Sequence, residues 1–185
     1  MTIEKALEDY CQQAIDSGAT NALVTQPNRI VTAPWVQLKC QFGCPRYGYF
    51  YTCPPHTPTS EYTRKILDSY NRVLLFQLQW TKGEQSGREI SKYMDNVVSM
   101  EIEMFLDGFY RAFSMLCGPC ILCRHKESGC GILHEEPCRF PGKARPSMEG
   151  CGIDVFQTAH NHGFPLKTTR TEEEPRNLYS IILVD

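Results

Sequence analysis

The spacing of hydrophobic positions changes period several times along the chain, and each change marks a new element. Ile3, Leu7, Tyr10, Cys11 and Ile15 recur at helical intervals with Gly18 as a stop, so residues 3–17 read as an amphipathic helix. Short apolar or alternating runs at 22–25 and 35–39 read as strands, the second delivering Cys40 at its end. Thr59 or Ser60 can cap a helix reaching about Tyr70, and the run 72–80 after it reads as a buried strand. From Glu84 to Leu116, positions including Ile90, Met94, Val97, Glu101, Phe105, Phe109 and Phe113 share one face, which predicts a single long helix. A shorter helix is expected after a Ser147 cap, with Val155, Phe156 and Ala159 on its apolar face and Gly163 at its end. The aliphatic run 178–184 suits a central strand.

Alternating helices and strands predict an α/β fold, a small sheet with flanking helices. Two cysteine-rich loops, 40–58 and 117–146, interrupt the pattern; both are rich in proline and glycine and have no sustained period. The 185 residues suffice for one domain with a real core, and the expectation is a single domain over 1–185 that includes both loops.

Charge narrows the function classes. Lys and Arg total 19 against 21 Asp and Glu, a net charge of -2, and no basic stripe appears, so neither nucleic acid nor an anionic membrane is an expected partner. The first residues carry acids where a signal peptide needs a basic flank, and no run approaches the roughly 20 apolar residues of a spanning helix. A cytoplasmic protein is expected, and clustered thiols in a reducing compartment are metal ligands more readily than disulfides.

Nine of the ten cysteines fall into two groups: Cys40, Cys44 and Cys53, then Cys117, Cys120, Cys123, Cys130, Cys138 and Cys151. The run Cys117-x2-Cys120-x2-Cys123 is a spacing used by iron–sulfur proteins, and soft, anionic thiolates match sulfide-bound iron. Cys120, Cys123, Cys130 and Cys138 make a self-contained set of four, sufficient for one [4Fe-4S] cluster. Cys40, Cys44 and Cys53 lack a local fourth partner, for which Cys151 is the candidate, giving one or two clusters in all. Cys138 and Cys151 are exchangeable between the sets, and Cys117 either replaces Cys130 or is a buried thiol. Pro45 and Pro54 each follow a cysteine, as in ferredoxins, and the aromatic run Phe42, Tyr47, Tyr49, Phe50 and Tyr51 can keep water from a cluster. Zinc is the alternative metal, since four-cysteine zinc sites in small loops are common. Cys11 reads as core, and His56 and His125 as solvent-facing neighbours of the ligands. Arg139, Lys143 and Arg145 supply positive charge that would offset an anionic cluster or line a recess for an anionic substrate.

The stretches WVQLKCQFGCPRYGYFYTCPP, DGFYRAFSMLCGPCILC and CRFPGKARPSMEGCGIDVFQTA together resemble a family of small predicted metal-binding proteins of anaerobic microbes. The resemblance implies iron–sulfur ligation by Cys40, Cys44, Cys53, Cys120, Cys123 and Cys138, extends to Cys130 and Cys151 less closely, and leaves Cys117 where the family more often has a small residue. The function expected from these residues is electron transfer, or redox support of a partner protein. One alternative is an enzyme whose three-cysteine cluster leaves an iron open to substrate; another is a zinc-stabilised interaction module. No phosphate-binding glycine loop, GxSxG elbow or HExxH helix is present to suggest other chemistry.

Overall fold

The computed structural model describes residues 3–83, 86–164 and 166–185. Among these described residues are five α-helices, two short 3-10 helices and a four-stranded antiparallel sheet, a mixed α/β arrangement. Helix α1 spans Ile3–Asp16, and strand β1, Asn21–Thr25, follows it. Helix α2 is Pro34–Gly43 and α3 is Ser60–Leu67; strand β2 is Val73–Trp80. Helix α4 spans Ser86–Leu106, β3 is Phe113–Met115, α5 is Val155–Asn161 and β4 is Arg176–Leu183.

The sheet order is β1-β2-β4-β3, with every neighbouring pair antiparallel. β2 and β4 pair along their full length, Leu75 opposite Ile181 and Phe76 opposite Ser180. Both are interior strands covered on two sides, which explains near-continuous apolar runs in place of alternation. One face, with Leu74, Phe76, Leu78 and Ile182, packs against α1 and α4 through Leu7, Tyr10, Met94, Val97 and Met104. The other, with Val73, Leu75, Tyr179 and Ile181, packs against Leu67 of α3, Ala159 of α5 and the segment holding Met148, Cys151 and Ile153. Each fully buried Leu or Phe contributes roughly 2–3 kcal/mol of transfer free energy.

Three elements depart from the sequence pattern. Residues 35–39 are helix, not strand: Pro34 at the first helical position presets φ, and a five-residue alternation is too short to outweigh it. The predicted long helix starts, at Glu84, outside the described residues, and it ends at Leu106 rather than Leu116. Gly108 takes φ +99° and Phe109 N–H bonds back to the Met104 carbonyl at 2.9 Å, a Schellman closure that turns the chain into β3. The final helix is capped by Asp154, which accepts from Gln157 N–H at 2.9 Å; the Ser147 hydroxyl instead closes its own turn, accepting from Gly150 N–H at 2.9 Å. Thr59 caps α3 as its sequence suggests, through Tyr62 N–H at 3.3 Å.

Candidate metal centre

The first cysteine loop begins on a helix. Cys40 lies in the last turn of α2 and Cys44 caps its end, its N–H bonding the Cys40 carbonyl at 3.2 Å. Tight turns carry the chain on: Tyr47 N–H to Cys44 carbonyl at 3.2 Å, Cys53 N–H to Phe50 carbonyl at 3.2 Å and His56 N–H to Cys53 carbonyl at 3.0 Å. The Gln37 side chain fixes α2 to this loop's exit, donating to the Pro58 and Gly150 carbonyls at 2.9 and 3.0 Å and accepting from Ser60 N–H at 3.2 Å. Cys40, Cys44 and Cys53 consequently line one recess of about 150 Å³, whose wall also takes in Tyr47, Phe50, Pro54, Gly118, Pro119 and Glu149.

The second loop is built from similar turns, Lys126 N–H to Cys123 carbonyl and Gly129 N–H to Lys126 carbonyl, each at 2.9 Å. Gly131 lets the chain fold on itself, since a Cβ there would stand 2.6 Å from the Pro137 carbonyl oxygen and 2.7 Å from that of Glu136. This closure brings Cys120, Cys123, Cys130 and Cys138 to the wall of one small space of about 10 Å³ with Phe50, Tyr51 and Phe140. Cys138 Sγ accepts from Phe140 N–H at 3.4 Å. Arg139 interacts with Cys123, pairs with Glu136 and donates to the Gly129 carbonyl.

The two recesses adjoin. Phe50 lines both, Cys53 and Cys120 are close enough to interact electrostatically, and Tyr51 of the first loop donates its hydroxyl to the Glu136 carbonyl of the second at 2.8 Å. Among the described residues, no three His, Cys, Asp or Glu side chains are grouped closely enough to hold a metal ion as they stand. Burial pushes the Cys53 thiol up to about 11, and raises Cys40 and Cys120 by the same cause.

Cys151 is placed differently from Cys40, Cys44 and Cys53. It is fully buried in the apolar cluster beneath the sheet, beside Thr63, and lines a separate recess that also touches Cys138. Its thiol is pushed up to about 12 by burial first and by Cys53 and Glu149 next. Cys117 packs in the opposite core cluster and Cys11 on the buried face of α1. Among the expected cations, Arg145 is committed to Glu101, while Lys143 shares a recess with Arg124, His125 and Cys120.

Sequence reasoning passed over Glu149. The residue lines the first recess, its carboxyl acts on the Cys40 thiol, its Oε2 is buried with no hydrogen-bond partner, and burial raises its pKa against the amides of Gly118 and of its own residue. The available signal was its place in ARPSMEGCGID, two residues before Cys151. No curated protein and no solved structure matches the chain. A family model described as predicted metal-binding protein (DUF2284) matches residues 24–184, and the chain belongs to that family.

Proposed function

We propose that the protein holds two [4Fe-4S] clusters, one on Cys120, Cys123, Cys130 and Cys138 and one at Cys40, Cys44 and Cys53, and exchanges single electrons with a redox partner protein in the cytoplasm. The observation that carries this reading is the pair of adjoining recesses, each with its own thiols, sharing the Phe50 wall. The donor chemistry fits: every cysteine at either recess has a free thiol, and thiolates suit sulfide-bound iron. At the first recess, of about 150 Å³, thiols around a volume suit a polynuclear group better than a lone zinc ion, whose ligating sulfurs stand about 3.8 Å apart at tetrahedral Zn–S distances of about 2.3 Å. Seating a cluster in the smaller space requires the exposed 124–138 loop to widen around it.

Bound there, the clusters supply one-electron chemistry. The chain's own residues do the rest. Phe50, Tyr51 and Phe140 exclude water from the second set, the Phe140 amide donates to a ligand sulfur, and Arg139 sets a positive charge beside Cys123. Amide donors and cations of this kind stabilise anionic sulfur and raise a cluster's potential. Among the described residues no helix is long and apolar enough to cross a membrane.

The test is anaerobic purification with iron, sulfide and zinc analysis, followed by electron paramagnetic resonance of the reduced protein. About eight irons per chain with matching sulfide and a reduced-cluster signal are expected. Stoichiometric zinc in a colourless, sulfide-free protein sinks the reading. The first recess has only three thiols on its wall, which favours as second reading an enzyme whose fourth coordination position takes substrate.

A further inference from the structure

We propose that the carboxylate of Glu149, rather than the thiol of Cys151, is the fourth protein ligand to the group held by Cys40, Cys44 and Cys53. This rests on the iron–sulfur reading above and deepens it by completing the first site from within the chain.

Four observations converge on Glu149. Glu149 lies on the wall of the same recess as the three cysteines, with its carboxyl close enough to Cys40 to interact electrostatically, whereas Cys151 is not on that wall. Its Oε2 is buried and makes no hydrogen bond, an unfavourable arrangement unless something in the recess takes the oxygen as a ligand or donates to it. Among the described residues no Lys or Arg pairs with this carboxyl. Its backbone is also pinned from both sides. Met148 N–H bonds the Leu116 carbonyl at 2.8 Å, Ser147 N–H bonds the Thr52 carbonyl at 3.2 Å, and Cys151 N–H returns to Ser147 at 3.0 Å. A carboxylate carried on a backbone held this rigidly is preorganised as a ligand.

Cys151 already has another role. It is fully buried with Met148, Ile153 and Leu183 at the back of the sheet, its thiol beside Thr63. A Cβ on neighbouring Gly152, at φ +75°, would stand 2.6 Å from Ser60 Cβ. That packing leaves the 151–152 backbone little room to swing the thiol toward the recess.

The experiment compares wild type with Glu149→Ala, Glu149→Cys and Cys151→Ala, all purified anaerobically, by iron and sulfide analysis, Mössbauer spectroscopy of iron-57-loaded protein and circular dichroism as a folding control. Wild type is expected to show one iron subsite distinct from the thiolate-ligated ones; Glu149→Cys keeps the full iron complement but loses the distinct subsite. Glu149→Ala is expected to lose about one iron of the roughly eight that two cubanes contain, and Cys151→Ala none. The assignment is overturned if folded Cys151→Ala loses iron from this site while Glu149→Ala retains it, or if Glu149→Cys leaves the wild-type spectrum unchanged. Should wild type contain zinc without sulfide, the iron–sulfur reading fails separately, and zinc content in the same variants decides the ligand assignment: loss in Glu149→Ala and retention in Cys151→Ala support it, and the reverse overturns it.

Discussion

Arg145 grips the carboxylate of Glu101 with three hydrogen bonds, Nε to Oε1 at 3.1 Å, Nε to Oε2 at 2.8 Å and Nη2 to Oε1 at 2.7 Å. Both side chains are almost buried, at 13% and 9% exposure, and Oε2 also accepts from the Ser114 amide and hydroxyl. One charge-paired contact therefore joins the C-terminal part of α4, β3 and the end of the second cysteine loop.

Removing one member of such a pair strands the other charge. Glu101→Ala or Arg145→Ala is expected to cost about 3 kcal/mol, in the range for breaking a buried pair. The double variant Glu101→Ala with Arg145→Ala is expected to cost less than the sum of the singles, because it leaves no unpaired charge. Denaturant unfolding of the four proteins checks this; additive losses sink it.

Glu101 also shows where sequence reading succeeds and stops. Its place on the apolar face of α4 was legible from helical spacing alone, but the reason for a carboxylate there lies 44 residues on, at Arg145. The interior strands β2 and β4 and the first helix were legible because long apolar runs and one-sided periodicity reflect burial. The strand expected at 35–39 and the overlong helix failed at short range, where Pro34 and Gly108 decide the backbone and average periodicity does not. The grouping of Cys120 with Cys123, Cys130 and Cys138 was visible because one loop carries them all. What lies across the recess from Cys40 was not: Glu149 arrives through the long-range pairing of Met148 with Leu116 and of Ser147 with Thr52, which no local spacing encodes.

The second loop's closure depends on one missing side chain. A methyl at Gly131 would meet two backbone carbonyl oxygens, at 2.6 and 2.7 Å, and neither can swing away as a side-chain end would. Gly131→Ala is expected to open the loop, lowering metal content at the four-cysteine site while leaving the sheet intact. Metal analysis beside far-ultraviolet circular dichroism checks this; unchanged metal content contradicts it.

The ten cysteines are expected to separate into two classes by their response to substitution. Cys120→Ser should lower iron content at its site. Cys11→Ala and Cys117→Ala should leave iron content unchanged, because both thiols are packed in the core between the sheet and its outer helices. Their cost is the small cavity left, on the order of 1 kcal/mol, read from the unfolding midpoint. Loss of iron in Cys117→Ala would move that residue from the core to the ligands.

His162 gives the fold a pH dependence of defined sign. Its Nδ1 lies 2.7 Å from the Thr158 carbonyl, an acceptor only, so Nδ1 carries the proton and donates; Nε2 is then free to accept from the Thr25 hydroxyl at 2.6 Å. This neutral ring bridges the end of α5 to β1, one of the two edge strands. Burial first and the Arg29 charge next lower its pKa, and the Thr158 carbonyl only partly offsets them. Because the folded-state pKa lies below the unfolded value of about 6.5, the unfolded chain takes up the proton first as pH falls. The stabilisation is complete above about pH 6.5 and is lost progressively below it, down through the folded-state pKa. His162→Gln, which cannot titrate, is expected to flatten that part of the stability profile. Unfolding midpoints of the two proteins at intervals between pH 7.5 and about 5 make the comparison; parallel profiles would remove His162 as the cause.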